Sequence, residues 1–169
     1  MNNTRESARQ MAACRSILIR THSRVRVYLW RRWDWWDKQR QARFLPWVLT
    51  TLWEGIRQFP NQEALAGYLQ SEGRQFCQNA LNESRTALRF LALAGAGLVL
   101  VAGLALTISL LNLESFYELE SALWAGVIVG APLWILFFSV ELIEYRTARY
   151  LSAAIETAIE RLGQVEAEQ

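Results

Sequence analysis

Two long stretches of this chain contain no ionisable side chain, and they limit its fold more than any other feature. Residues 90–113 hold no Asp, Glu, Lys, Arg or His, and neither do residues 121–140. A helix rises 1.5 Å per residue, so about 20 mostly apolar residues cross the hydrocarbon core of a bilayer. Both stretches reach that length. A buried helix of a soluble protein is the competing explanation, but such a helix rarely needs so long an uncharged run, and this short chain has two. The first stretch is also too long, and too far from Met1, to be a signal peptide. The pattern predicts an all-α integral membrane protein: a two-span helical hairpin with spans at 88–112 and 121–141 and an outer loop at 113–120.

Charge sets the expected orientation. Residues 1–89 carry fifteen Lys and Arg against seven Asp and Glu. Arg85 and Arg89 precede the first span, and Arg146 and Arg149 follow the second. The loop between them has no basic residue and carries Glu114, Glu118 and Glu120. Because basic flanks stay on the cytoplasmic side, both termini are expected there, with the acidic loop outside. A bacterial inner membrane is the leading reading. The Arg-rich, acid-poor start (Arg5, Arg9, Arg15, Arg20) imitates an organellar presequence, so a mitochondrial or plastid inner membrane is the second.

Residues 1–60 read as a basic, Trp-rich amphipathic segment, with 1–23 poorly structured or weakly helical. Six of the eight tryptophans lie there: Trp30, Trp33, Trp35, Trp36, Trp47 and Trp53. Basic side chains such as Arg31 and Arg32 are interleaved with them. An indole satisfies an apolar and a polar neighbourhood at once, so the mixture suits a helix at the headgroup level of an anionic leaflet. Packing of the same rings in a small helical core or against a partner is the alternative. Pro46 is expected in the first turn of a short helix whose apolar face is Leu45, Val48, Leu49, Leu52, Trp53 and Ile56.

One helix is predicted from about 62 to 112, with a cytoplasmic part at 61–87 and a weak middle at Glu72-Gly73. The second span continues into a C-terminal helix at 142–169 with a stripe of Leu142, Tyr145, Leu151, Ile155, Ile159 and Leu162, and Gly163 as its expected stop. A short loop makes the two helices antiparallel, which predicts a coiled-coil stalk outside the membrane.

Within the spans, Ala122, Gly126 and Gly130 recur every four residues, and Gly95 and Gly103 punctuate the first span. Small residues at this spacing let helix backbones approach, either inside the hairpin or between subunits. Pro132 falls in mid-span, Trp124 near the outer boundary, and Trp134 deeper, where it is expected to face lipid or a partner. Without charges inside the spans, proton relays and voltage sensors lose their usual groups.

No catalytic, cofactor-binding or metal site is expected. His22 is the single histidine, and Cys14 and Cys77 lie far apart, expected as free thiols. Asp34 and Asp37 sit at ion-pair spacing from Lys38 and Arg40. Nucleic acid is not an expected partner, since lipid headgroups are the nearer negative charge; membrane lipids and other membrane subunits, or a second copy, are. Two functions stay open. One is a non-catalytic accessory or scaffold subunit of a membrane complex. The other is a homo-oligomeric pore, with Glu114, Glu118 and Glu120 at its outer mouth and Glu141 and Glu144 near the inner one. The topology has a direct check: the protein stays in the membrane pellet after lysis without detergent, and a tag inserted beside Glu118 is labelled from outside intact cells.

Overall fold

The computed structural model describes residues 2–31, 38–57, 62–111 and 116–167, and nearly all of them are helical. The elements are α1 (Asn2–Arg31), α2 (Lys38–Ile56), α3 (Gln62–Tyr68), a π turn (Leu69–Gly73), α4 (Arg74–Leu111) and α5 (Tyr117–Ala167). Because α3, the π turn and α4 follow without a break, there are four continuous helices among the described residues. The chain forms two compact units. One comprises Met1–Asn82 and Ile143–Gln169, the other Glu83–Leu142.

The first unit is a helical bundle around one apolar core. From α1 come Cys14, Leu18, Val25 and Leu29; from α2, Phe44, Val48, Leu49, Leu52 and Ile56. Leu65, Leu69 and Cys77 line the next helix, and Ile143, Leu151, Ala154, Ile155, Ala158 and Leu162 line α5. Most successive members of each set are three or four residues apart, or seven or eight (one or two helical turns), which gathers each set on one helix face. Thr147 is fully buried in the α5 stripe, and its hydroxyl donates to the Ile143 carbonyl at 2.8 Å, so the polar atom is satisfied. A Cβ at Gly55 of α2 would fall 2.6 Å from Ile17 Cγ2, so glycine is what allows α1 and α2 this approach.

The π turn has a physical cause. Leu65, Leu69, Gly73 and Cys77 are all buried, at a spacing of four residues throughout. In an ideal α-helix each such step drifts about 40° around the axis, about 120° over three steps. One extra residue in a turn takes back about 100° and keeps the four on one face. The Arg74 N–H accordingly donates to the Leu69 carbonyl, five residues back. The expected weak middle at Glu72-Gly73 falls inside this turn.

Several expectations are corrected. Of the two alternatives for the start of the chain, poorly structured or weakly helical, the first is overturned: residues 2–31 form one continuous 30-residue helix. Its buried stripe includes Cys14 and Thr21, which do not announce a core face, and arginines cover its other sides. The second helix begins at Lys38, so Pro46 lies inside it, not in its first turn. α5 runs to Ala167 past Gly163. The stalk expected from two helices is a bundle to which α1 and α2 also contribute.

The second unit consists of the apolar lengths of α4 and α5. Both helices are long and apolar enough to cross a membrane. Their side chains are largely uncovered by protein, as at Phe90, Leu93, Val99, Leu110 and Ile128.

The bundle core is testable by contrast. Leu52→Ala, at a fully buried position, is expected to cost about 2–5 kcal/mol. Ile19→Ala, at a half-exposed position on α1, should stay within about 0.5 kcal/mol. Urea titration in mild detergent, read by tryptophan fluorescence, measures both.

Candidate functional site

The packing seam of the hairpin is built on Gly95 of α4 and Trp134 of α5. A Cβ at Gly95 would lie 2.7 Å from Trp134 Cζ2, so the indole rests on the bare glycine backbone. Its Nε1–H donates to the Leu91 carbonyl at 2.6 Å, and Phe138 stacks on the ring at 5.2 Å between centroids. An indole N–H among apolar side chains is costly without a partner, so this bond fixes the rotamer as well as the seam. Trp134 therefore packs within the hairpin, whereas its position alone suggested lipid or a partner. Beside it lies an apolar recess of about 460 Å³ lined by Ala92, Gly95, Val99, Ala131 and Ile135 among others.

The small residues split into two groups. At Gly130 a Cβ would meet Leu98 Cδ2 at 3.0 Å, so Gly130 belongs to the seam with Gly95. At Gly103 and Gly126 a Cβ would meet nothing within 4 Å, and Ala122 is exposed. Both options foreseen for these residues thus have members: two glycines serve the hairpin, and three small residues face away from its packing.

In the acidic loop, Glu118 is exposed and its carbonyl accepts from the Ser121 hydroxyl at 2.8 Å. Glu120 accepts a short hydrogen bond from the Ser109 hydroxyl, tying the start of α5 to the end of α4. Glu114 lies outside the described residues. The remaining hydroxyls of the spans turn to their own backbone: Thr107 donates to the Gly103 carbonyl and Ser139 to that of Ile135.

The tryptophans also differ among themselves. Trp30 and Arg31 are exposed at the end of α1. Trp47 and Trp53 pack against the bundle core. Trp33, Trp35, Trp36 and Arg32 lie outside the described residues, as do Asp34 and Asp37. Trp47 stacks on Tyr28 at 4.6 Å between centroids, Phe44 stacks on Tyr28 at 5.4 Å, and Tyr150 meets Phe44 edge-on at 4.7 Å. This four-ring cluster joins α1, α2 and α5. The Trp53 indole N–H is buried and has no hydrogen-bond partner among the described residues.

A polar cluster absent from the sequence expectations joins α1 to α5. The Arg26 guanidinium donates to Glu144 Oε1 at 2.6 Å, and His22 Nε2 stands 3.4 Å from Glu144 Oε2. The His22 ring also meets Phe76 edge-on at 5.8 Å. Glu144 is thus held by an arginine 118 positions away. No local signal could reveal it, because residues this distant in the chain meet only through the bundle. Burial pushes the His22 pKa below its ordinary value; Glu144 opposes that shift and Arg26 adds to it.

Cys14 and Cys77 are free and buried. Burial first, and then the nearby Glu72 for Cys14 and Glu156 for Cys77, push the thiols up to about 11 and about 12. Neither is a thiolate at neutral pH, so neither is poised as a nucleophile. Among the described residues, no three His, Cys, Asp or Glu side chains converge as metal ligands would.

The His22 cluster generates a pH prediction. The lowered folded-state pKa means that the unfolded chain binds the proton more tightly. Stability from this group is therefore complete above pH 6.5, the ordinary value, and is lost as pH falls through the folded pKa. Thermal melts of the wild type should weaken below pH 6.5 more steeply than those of His22→Gln, which lacks the titrating ring. Equal slopes would remove His22 from the account.

Comparison of the chain with protein-family models, with curated proteins and with solved structures finds no match, so the functional reading rests on residues and geometry.

Proposed function

We propose that this chain is a non-catalytic accessory or scaffold subunit of a larger membrane protein complex. In this reading α4 and α5 cross the membrane as a hairpin, the bundle and both termini lie on the cytoplasmic side, and a bacterial inner membrane is the setting. The carrying observation is the division of the small residues. Gly95 and Gly130 are consumed by the hairpin seam, while Gly103 and Gly126 stay open on helices whose outward faces are apolar. Open glycines on such helices offer close backbone approach to another helix, the usual means of association within lipid. The bundle supplies the second half of the argument. Its core is filled by side chains, which suits a rigid element that positions others.

The alternative, a homo-oligomeric pore with an acidic outer mouth, draws support from the exposed Glu118. It draws less from the rest of the hairpin. Glu120 is engaged by Ser109, and the hydroxyls of Thr107 and Ser139 bond to their own helices, leaving these side chains less suited to line a water path.

The test is purification in a gentle detergent with the glycines divided as the structure divides them. Wild-type protein should bring down other membrane proteins in fixed ratio. Gly103→Leu with Gly126→Leu should lose them while the hairpin stays folded. Gly95→Leu should instead disrupt the hairpin by displacing Trp134. Recovery of this chain alone in every detergent would defeat the subunit reading, and cation current from reconstituted protein would favour the pore.

A further inference from the structure

A basic pocket of about 270 Å³ lies on the bundle, lined by Arg146, Arg149, Tyr150 and Ala153 of α5 with Leu45 of α2. Its two arginines are three residues apart, so they share one helix face. Arg149 is exposed, and among the described residues it has no ion-pair or hydrogen-bond partner. The Tyr150 hydroxyl likewise has no hydrogen-bond partner among them. The Tyr150 ring is held edge-on against Phe44, and Tyr150 lines the recess together with the arginines. Glu144, two residues before Arg146 and so on a different side of the same helix, is engaged by Arg26 and His22.

The geometry points to a binding site for the phosphate of an anionic phospholipid headgroup. Two arginines and a tyrosine line one recess with no carboxylate among the lining residues, which is the chemistry a phosphate requires; Arg146 also has an interaction of its own, and the five N–H donors of a guanidinium allow a second one. Leu45 and Ala153 supply apolar wall for the carbons beside it. The position along α5 supports lipid over soluble phosphate. Arg146 and Arg149 are the first basic residues after the uncharged stretch that ends at Val140. They follow Val140 by about 9 Å and about 13 Å of helix rise. Helical side chains lean toward the N-terminus of their helix, which for α5 is the apolar end, and a long arginine can carry its charge several ångströms that way. Basic pockets beside membrane helices on the cytoplasmic side recognise anionic headgroups by such means. This assignment rests on the membrane reading above but not on the subunit reading.

The test compares binding of phosphatidylglycerol and phosphatidylcholine to the full chain in mild detergent, by native mass spectrometry. The expected result is a preference for phosphatidylglycerol that falls about fivefold in Arg149→Gln and about thirtyfold when Arg146→Gln is added, from about 1 kcal/mol per basic residue. Arg149 is exposed, so the single variant should keep its fold, checked by an unchanged melt in phosphatidylcholine. Arg9→Gln with Arg15→Gln, which removes the same charge from exposed positions on α1, should retain the preference. An equal loss in that control would assign the effect to diffuse charge and overturn the site. No preference for phosphatidylglycerol would overturn it too. Inorganic phosphate competing at concentrations comparable to the lipid would overturn the lipid as occupant in favour of a soluble phosphate. Failure of the membrane reading is seen separately, as protein in the supernatant of cells lysed without detergent.

Discussion

The apolar surface along the C-terminal half of α4 and the N-terminal half of α5 is not covered by any of the other described residues. Leu93, Val99, Leu100 and Leu110 each remain more than two-thirds exposed, and Ile128 is close behind. In water each such side chain forgoes roughly 1.5–3 kcal/mol of burial. A bilayer, or a bilayer together with partner helices, removes the problem. In a bilayer the hairpin would need only a seam between two helices, because lipid would supply the rest of the apolar surroundings. That seam is short: Gly95 beneath Trp134, Gly130 against Leu98, and the bond from Trp134 to the Leu91 carbonyl.

The bundle follows a different rule. Outside the apolar lengths, the helices bury the usual stripes against one another, and an interior residue is sealed by protein. Local backbone geometry bends to serve this core. The π turn at Leu69–Gly73 keeps a four-residue repeat on one face, at the position where Glu72-Gly73 weakens the apolar pattern. Gly55 concedes its side chain so that Ile17 can approach. The buried Trp53 N–H, without a partner among the described residues, shows that this packing was reached at some polar cost.

Charge divides in the same way between structural and available groups. Arg26 and Glu144 form an ion pair between α1 and α5, with His22 as a titratable neighbour in a partly buried setting. Arg149 remains exposed beside Tyr150, whose ring is anchored in the aromatic cluster of Tyr28, Phe44 and Trp47. The stretch of α5 just past its apolar length therefore both locks the first helix and presents a recess lined by arginines. Neither role needs catalysis, which suits the scaffold reading.

Charge-free length and periodicity were legible in the sequence: the two long apolar helices, the α5 stripe through Leu151, Ile155 and Leu162, and the irregularity at Glu72-Gly73. These depend on neighbours within one or two turns, so the order of residues determines them. Tertiary structure alone decided which arginine meets Glu144, which glycine receives Trp134, and that residues 2–31 form a helix. Each depends on surfaces far apart in the chain. The α1 stripe of Cys14, Leu18, Thr21, Val25 and Leu29 includes a cysteine and a threonine that do not mark a core face by themselves, and the helix is stabilised when the other helices of the bundle cover that stripe.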